Sequence, residues 1–201
     1  TVRYRIDSVW REIKTPMLLL HHGVVPHTHA SRSLGAAHRW SEAQRCFVPV
    51  TDRWGNLDVQ GYAVAGDCSG IVGARASELQ GRLAALGAAR ELGVIDAGRR
   101  DALAAPLRMR LEHHLPIRPF LDWWFAPRTS LLAPHDDVLV CRCESVSARR
   151  IREAVALGCV GPNQVKAFTR CGMGPCQGRM CGLAAAEIIA AARGAAPGEV
   201  G

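Results

Sequence analysis

The chain of 201 residues is 48% hydrophobic and 21% charged, which suits a globular protein of one ordinary domain or two small ones and excludes extended disorder. No run approaches the ~18 apolar residues of a membrane span, and Thr1 opens neither a signal peptide nor an initiator-methionine start, so the chain reads as a cytoplasmic piece of something longer. The net charge of +7 is almost all arginine, Lys14 and Lys166 being the only lysines, and scattered arginines without interleaved aromatics argue against nucleic acid as a partner.

Residues 17–25, Met-Leu-Leu-Leu-His-His-Gly-Val-Val, predict a buried strand closed by Pro26, and residues 61–66, Gly-Tyr-Ala-Val-Ala-Gly, predict another. Asp52, Gly55 and Asn56 supply turn chemistry between them. From Ala74 to Leu92 the residues Leu79, Leu83, Leu86 and Leu92 fall at helical spacing, with Gly93 as the C′ stop. Residues 97–115 predict a second helix interrupted near Pro106. The prolines between 116 and 137 predict an extended linker whose Phe120, Trp123, Trp124 and Phe125 cover an interface. Beyond Val138, a short strand leads into Cys141. Three helices follow: one capped by Ser147 and ended by Gly158, one opened by Pro162 and running to Thr169, and an alanine-rich one from Gly182 to Arg193.

Eight cysteines without a secretory signal argue for free thiols rather than a disulfide framework. Cys141 and Cys143 form a C-x-C pair, and Cys176 and Cys181, separated from it by thirty-two intervening residues, form a C-x₄-C pair. Thiolates in two close pairs suit an iron-sulfur cluster, zinc or copper(I). Gly172, Gly174 and Gly178 allow backbone N–H groups to approach the sulfurs, and a helix N-terminus beside them favours negative charge. Cys171 is a rival ligand, because Cys171 and Cys176 also have C-x₄-C spacing. Cys159 reads as a packed thiol and Cys68 as a small buried one, while Cys46 has no partner in sequence. His21, His22, His27 and His29 crowd together, but alternation puts the first two on opposite strand faces and the group is discounted as a metal site.

Cys141-Arg-Cys143-Glu, the run Thr169-Arg-Cys-Gly-Met-Gly-Pro-Cys176-Gln-Gly-Arg-Met-Cys181 and the intervening helices resemble the bacterioferritin-associated-ferredoxin-like (BFD-like) [2Fe-2S] module over residues 138–193. The version it resembles is the one fused to the C-terminus of FAD-dependent oxidoreductases. The resemblance implies a helix-turn-helix-like, all-α domain with Cys141, Cys143, Cys176 and Cys181 as cluster ligands. The second pair departs from the free-standing ferredoxin by two extra residues, and whether Cys171 replaces Cys181 stays open.

His22-Gly23-Val-Val-Pro26-His-Thr, Arg45-Cys-Phe-Val-Pro49-Val-Thr and Gly61-Tyr-Ala-Val-Ala-Gly66-Asp67 resemble the closing third of a two-dinucleotide-binding-domain flavoprotein of the pyridine nucleotide-disulfide oxidoreductase type. More closely, they resemble the subunit found in opine oxidases, hydrogen cyanide synthase and dye-linked proline or hydroxyproline dehydrogenases. The resemblance implies an α/β fold over residues 1–95; the residues that follow read as a helical and proline- and aromatic-rich linker at 96–137, and 194–201 as a tail. It also implies FAD contacts from Gly66, Asp67, Gly73 and Ala74, with a positive helix end near the flavin. No G-x-G-x-x-G follows a strand, so the piece is expected to hold FAD poorly and to be inactive alone.

The implied function is passage of electrons from a flavin, reduced by an amine, amino acid or opine, through a [2Fe-2S] centre to an acceptor that the sequence does not identify, beside a second flavoprotein subunit. The alternative is a non-catalytic cysteine-rich zinc or iron-sulfur module that docks a partner or senses redox state.

Overall fold

The computed structural model describes residues 1–19 and 23–200. The chain opens with an antiparallel hairpin, β1 (Val2–Ile6) and β2 (Val9–Ile13), in register Val2 to Ile13 through Ile6 to Val9. Asp7 and Ser8 make its turn at φ 48 and 68, the paired positive values that let a two-residue turn match strand twist. The buried strand expected over 17–25 does not form among its described residues. Met17, Leu18, Leu19, Val24 and Val25 are exposed coil, because a strand needs a neighbour to pair with and none of the described residues supplies one.

A short helix α1 (His29–Ser33) leads into a second hairpin, β3 (His38–Ser41) and β4 (Cys46–Pro49). The turn that follows is built on Asp52, whose Oδ1 accepts the Trp54 and Asn56 amides at 2.8 Å each. Gly55 sits at φ 85, and a Cβ there would lie 2.3 Å from the Val64 carbonyl oxygen, so only glycine fits. The second expected strand, 61–66, is reduced to a single bridge between Asn56 and Ala63. Gly61 and Gly66 both have positive φ, and Tyr62 is exposed, which is the geometry of a turn and not of a buried ladder.

Helix α2 (Ala74–Glu91) buries Leu79 and Leu83, and Gly93 follows at φ 73 as its stop. Helix α3 (Ala97–His114) is capped by Asp96, which accepts the Arg99 amide at 2.8 Å, and packs against α2 around Trp54, Leu83 and Ala104. The expected interruption at Pro106 is absent and the helix runs through it. Proline removes only the bond to the Ala102 carbonyl, and Ala102 and Pro106 are both exposed, so water can take that bond's place.

The segment 116–137 is not extended. It folds into α4 (Arg118–Trp124) and α5 (Thr129–Leu132), because an i,i+4 Arg118–Asp122 ion pair and a proline at the first turn support helix there. Phe120, Trp123, Trp124 and Phe125 cluster on α4 and its end, the first three in ring contact with one another, and all four remain exposed. No described residue buries them.

The last section is a compact helical unit with one small hairpin. β5 (Leu139–Cys141) pairs with β6 (Val146–Ser147), and α6 (Ala148–Ala156) starts at Ser147, whose Oγ accepts the Arg150 amide. α7 (Pro162–Thr169) and α8 (Gly182–Arg193) complete it. Ile151, Val165, Ile188 and Ile189 form its core, and Cys159 is buried there as a packed thiol. The three hairpins and eight helices of the described residues make a mixed helix and sheet fold. Every strand pair among them is antiparallel.

The turn between β3 and β4 ties the halves together. The Arg45 guanidinium donates to both oxygens of Glu187 on α8, at 2.9 and 2.7 Å. Glu187 is 5% exposed, and its hydrogen bond holds the Arg45 pKa above its ordinary value. Gln44 exchanges hydrogen bonds with the Ile71 backbone and donates to Asp122 of α4 at 3.3 Å.

Candidate metal centre

Five cysteines converge where the loop after β5 meets the loop between α7 and α8. The sulfurs of Cys141, Cys171 and Cys181 all lie within 4.8 Å of one another and all three residues are buried. Among the described residues this trio is the group with metal-ligand spacing. Cys143 and Cys176, on the outer lip, are in hydrogen-bonding contact with each other; the first is exposed and the second half-buried. Of the four sequence-derived candidates, Cys141 and Cys181 meet together with the rival Cys171, and Cys143 and Cys176 meet each other.

Local chemistry explains the convergence. Cys141 ends β5 and points into the helical core, while Cys181 is the residue preceding the first turn of α8. Arg170, at φ 64, ends α7 in the left-handed conformation and turns the chain into Cys171. Its guanidinium donates to Glu144 at 2.8 Å, clipping one cysteine loop to the other. Thr169 Oγ1 donates to the Val165 carbonyl at 2.6 Å and accepts the Cys171 amide at 3.1 Å. Gly174 lies directly against Cys143, where a Cβ would stand 2.1 Å from the cysteine Cβ.

The electrostatics favour the thiolate at Cys176 and Cys171 and the neutral thiol at Cys143 and Cys181. Backbone amides of Met180, Gly178 and Arg179 donate to the Cys176 sulfur and hold its pKa below the ordinary thiol value, the glycine-turn arrangement read from the sequence. In the buried trio the Cys181 thiol donates to the Cys171 sulfur, which pulls Cys171 down and, with burial, pushes Cys181 up. Five sulfur donors, a dipole-rich loop and a close-fitting glycine fit a thiolate-ligated cluster.

Residues 139–191 match the BFD-like [2Fe-2S] binding domain.

The BFD-like domain is one part of a longer likeness. The whole chain aligns with an opine oxidase subunit of Rhizobium meliloti, 45% identical over 201 residues and 38% of that protein. It aligns likewise with the corresponding opine oxidase subunit of Agrobacterium tumefaciens (strain Ach5), at 43% identity and 40% of that protein. Hydrogen cyanide synthase subunit HcnB of Pseudomonas protegens is 29% identical over 85% of this chain and 36% of its own length. The crystal structure of L-proline dehydrogenase from P. horikoshii superposes with a TM-score of 0.68 and 25% identity, covering 88% of this chain and 34% of the other. The chain thus spans about two fifths or less of the relatives it matches. These likenesses agree with the resemblance to a flavoprotein oxidoreductase piece carrying a BFD-like domain. No helix among the described residues is long and apolar enough to cross a membrane.

Outside the BFD-like domain, Gly66, Asp67, Gly73 and Ala74 gather at the start of α2. Asp67 Oδ1 accepts the Val72 and Gly73 amides at 3.0 and 3.2 Å and the Ser77 hydroxyl at 3.1 Å. Gly66 is buried at φ 69, with space for a Cβ only 3.0 Å from the Ser77 Cβ. A Cβ at Gly73, at φ 91, would meet no atom within 4 Å, and Ala74 is exposed, so the start of α2 faces open space.

Cys68 is exposed, not buried as expected, because the short 3-10 turn Gly66–Ser69 points Ser69 inward to Gly66 and Gln80 instead. Cys46 is buried, and burial with the nearby Asp122 carboxylate pushes its pKa up to about 11. A raised thiol pKa keeps the neutral form until pH approaches that value. Iodoacetamide at about pH 8 should therefore modify Cys68 and leave Cys46 intact in the folded chain, with peptide mass spectrometry as the readout; equal labelling would contradict the burial of Cys46.

Of the four crowded histidines, His21 and His22 lie outside the described residues. His27 stacks on His29 at 5.1 Å, and Arg179 Nε lies 2.9 Å from His27 Nε2. Burial and then the Arg179, His27 and Arg32 charges lower the His29 pKa. These rings line a cavity of about 480 Å³ together with Trp40, Phe47 and Arg32. Sequence reasoning missed this cavity, whose walls come from segments more than a hundred residues apart.

Proposed function

We propose that this chain is part of an FAD-dependent oxidoreductase subunit that oxidises an amine, amino acid or opine and passes electrons through a [2Fe-2S] centre to an acceptor or partner subunit. The observation that carries the reading is the meeting of the Cys141, Cys171 and Cys181 sulfurs, beside the Cys143–Cys176 contact, inside the BFD-like match, in a chain that aligns over its full length with opine oxidase subunits.

Cys141, Cys143, Cys176 and Cys181 would hold the cluster, the Met180, Gly178 and Arg179 amides would stabilise its negative charge, and Gly174 would keep Cys143 in place. The flavin supplies hydride acceptance and the two-iron centre supplies single-electron transfer. Gly66, Asp67, Gly73 and Ala74 would face FAD: Asp67 shapes the loop, and the start of α2, which faces open space, favours negative charge near the flavin. The domain division at about residues 95 and 138, a cytoplasmic setting that keeps the thiols reduced and a second flavoprotein subunit belong to the same reading. The opine oxidase and hydrogen cyanide synthase relatives are themselves subunits, which supports a partner.

The test is the visible and low-temperature EPR spectrum of anaerobically purified protein, with iron and sulfide assayed, before and after dithionite. About two irons and two sulfides per chain with a reducible signal are expected. A colourless zinc protein would overturn the electron-transfer reading and leave a docking domain.

A further inference from the structure

A two-iron cluster takes four thiolates, and this site presents five cysteines. We propose that Cys171 is an exchangeable fifth thiolate, able to replace Cys181 as a cluster ligand; the inference rests on the iron-sulfur reading above.

Three observations point to Cys171. It is not a stray thiol: its sulfur lies within 4.8 Å of those of Cys141 and Cys181, and all three are buried. Its backbone is held at the end of α7 by the buried Thr169, which accepts the Cys171 amide while donating to Val165. The Arg170–Glu144 clip fixes the same turn against the loop carrying Cys141 and Cys143. Cys171 is thus as firmly supported as Cys181, which sits at the head of α8. Cys143 and Cys176 occupy the outer lip, so the surplus sulfur belongs to the buried trio. Cys141 is the trio's member from the other loop, which leaves Cys171 and Cys181 as alternatives for one place. They reach it from opposite ends of one loop, and sulfurs this close can exchange by side-chain rotation without moving the backbone.

The experiment compares wild type, Cys171→Ser, Cys181→Ser, Cys181→Ala, the double Cys171→Ser/Cys181→Ser and Cys143→Ser, each purified anaerobically in the same length of chain. Iron and sulfide content, the EPR signal and helical circular dichroism are the readouts. Cys171→Ser and Cys181→Ser should each keep about two irons and a reducible signal, with the Cys181→Ser signal altered in its g values. The double variant should lose at least about nine tenths of the iron, as should Cys143→Ser. The alanine variant leaves no unpaired hydroxyl in the core and guards against misfolding of the serine variant. Loss of iron from both Cys181 variants with helical signal intact overturns the exchange. Loss from Cys171→Ser alone makes Cys171 an obligatory ligand and also overturns it. A wild type that holds zinc instead of iron is a separate outcome, overturning the underlying reading and this inference with it.

Discussion

Gly174→Ala is expected to empty the cluster site while leaving the helices folded. The new Cβ would stand 2.1 Å from the Cys143 Cβ and 3.1 Å from its sulfur. Neither atom can yield as the tip of a long side chain would, because the Cβ is fixed to the backbone. Cys143 must therefore leave its place, and the Arg170–Glu144 clip beside it limits how far the loops can part. Loss of a supporting contact at a metal site typically reduces metal affinity about 10- to 100-fold, and displacement of Cys143, a cluster ligand in the function proposed above, should fall at the severe end. Gly182→Ala is the control. It sits at the first position of α8 with nothing within 4 Å of its would-be Cβ, so it should keep its iron and gain up to about 1 kcal/mol of helix stability. Iron and sulfide assays with far-UV circular dichroism decide the matter. Full iron occupancy in Gly174→Ala would show that Cys143 is not needed where the structure places it.

Breaking the Arg45–Glu187 pair should produce the largest loss of stability away from the cysteines. Glu187 is buried on α8 and receives two hydrogen bonds from Arg45, which is 28% exposed at its side chain. Removing one member of a buried pair leaves the other charge without its partner, at a cost of about 3 to 5 kcal/mol. The partial exposure of Arg45 puts the expectation for Glu187→Ala near the lower figure, a fall in Tm of roughly 10 °C for a chain of this size. Arg45→Ala should cost at least as much, because it strands the carboxylate of Glu187, which is 5% exposed, and the double variant should cost less than the sum of the singles, since the two side chains interact directly. Differential scanning calorimetry of the four proteins tests this. Additive effects would mean that the pair is a surface tether with no role in joining the cluster domain to the β3–β4 turn.

The parts of the molecule legible in the sequence share one physical property: they depend on neighbours a few residues away. Ser147, Pro162, Gly93 and Gly158 each act on the backbone within one helical turn, and the helices they bound follow from position and residue type. The C-x-C and C-x₄-C pairs are equally local, and both lie within the residues 139–191 that match the BFD-like domain. The expectations that fail concern segments whose state depends on what lies across from them. The stretches 17–25 and 61–66 have the composition of buried strands, but the described residues offer them no ladder to join. Pro106 carries a helix-breaking signal that an exposed Ala102 carbonyl renders tolerable, and the proline-rich segment 116–137 is helical where Arg118 meets Asp122. The hairpin of β1 and β2 turns on Asp7 and Ser8, which lack the glycine that usually marks such a turn.

The amino-acid sequence by itself determined the helix limits of the BFD-like domain, the thiolate character of its site and the glycine-rich approach to it, because capping, spacing and backbone permissiveness are properties of short segments. Tertiary structure alone decided that Cys171 joins Cys141 and Cys181 in one buried trio, that Gly174 has no room for a side chain, and that Arg45 finds Glu187 142 residues away. Those facts follow from close packing between distant segments, where a separation of a few ångströms determines which sulfurs meet and which charges pair, and spacing along the chain carries no measure of that distance.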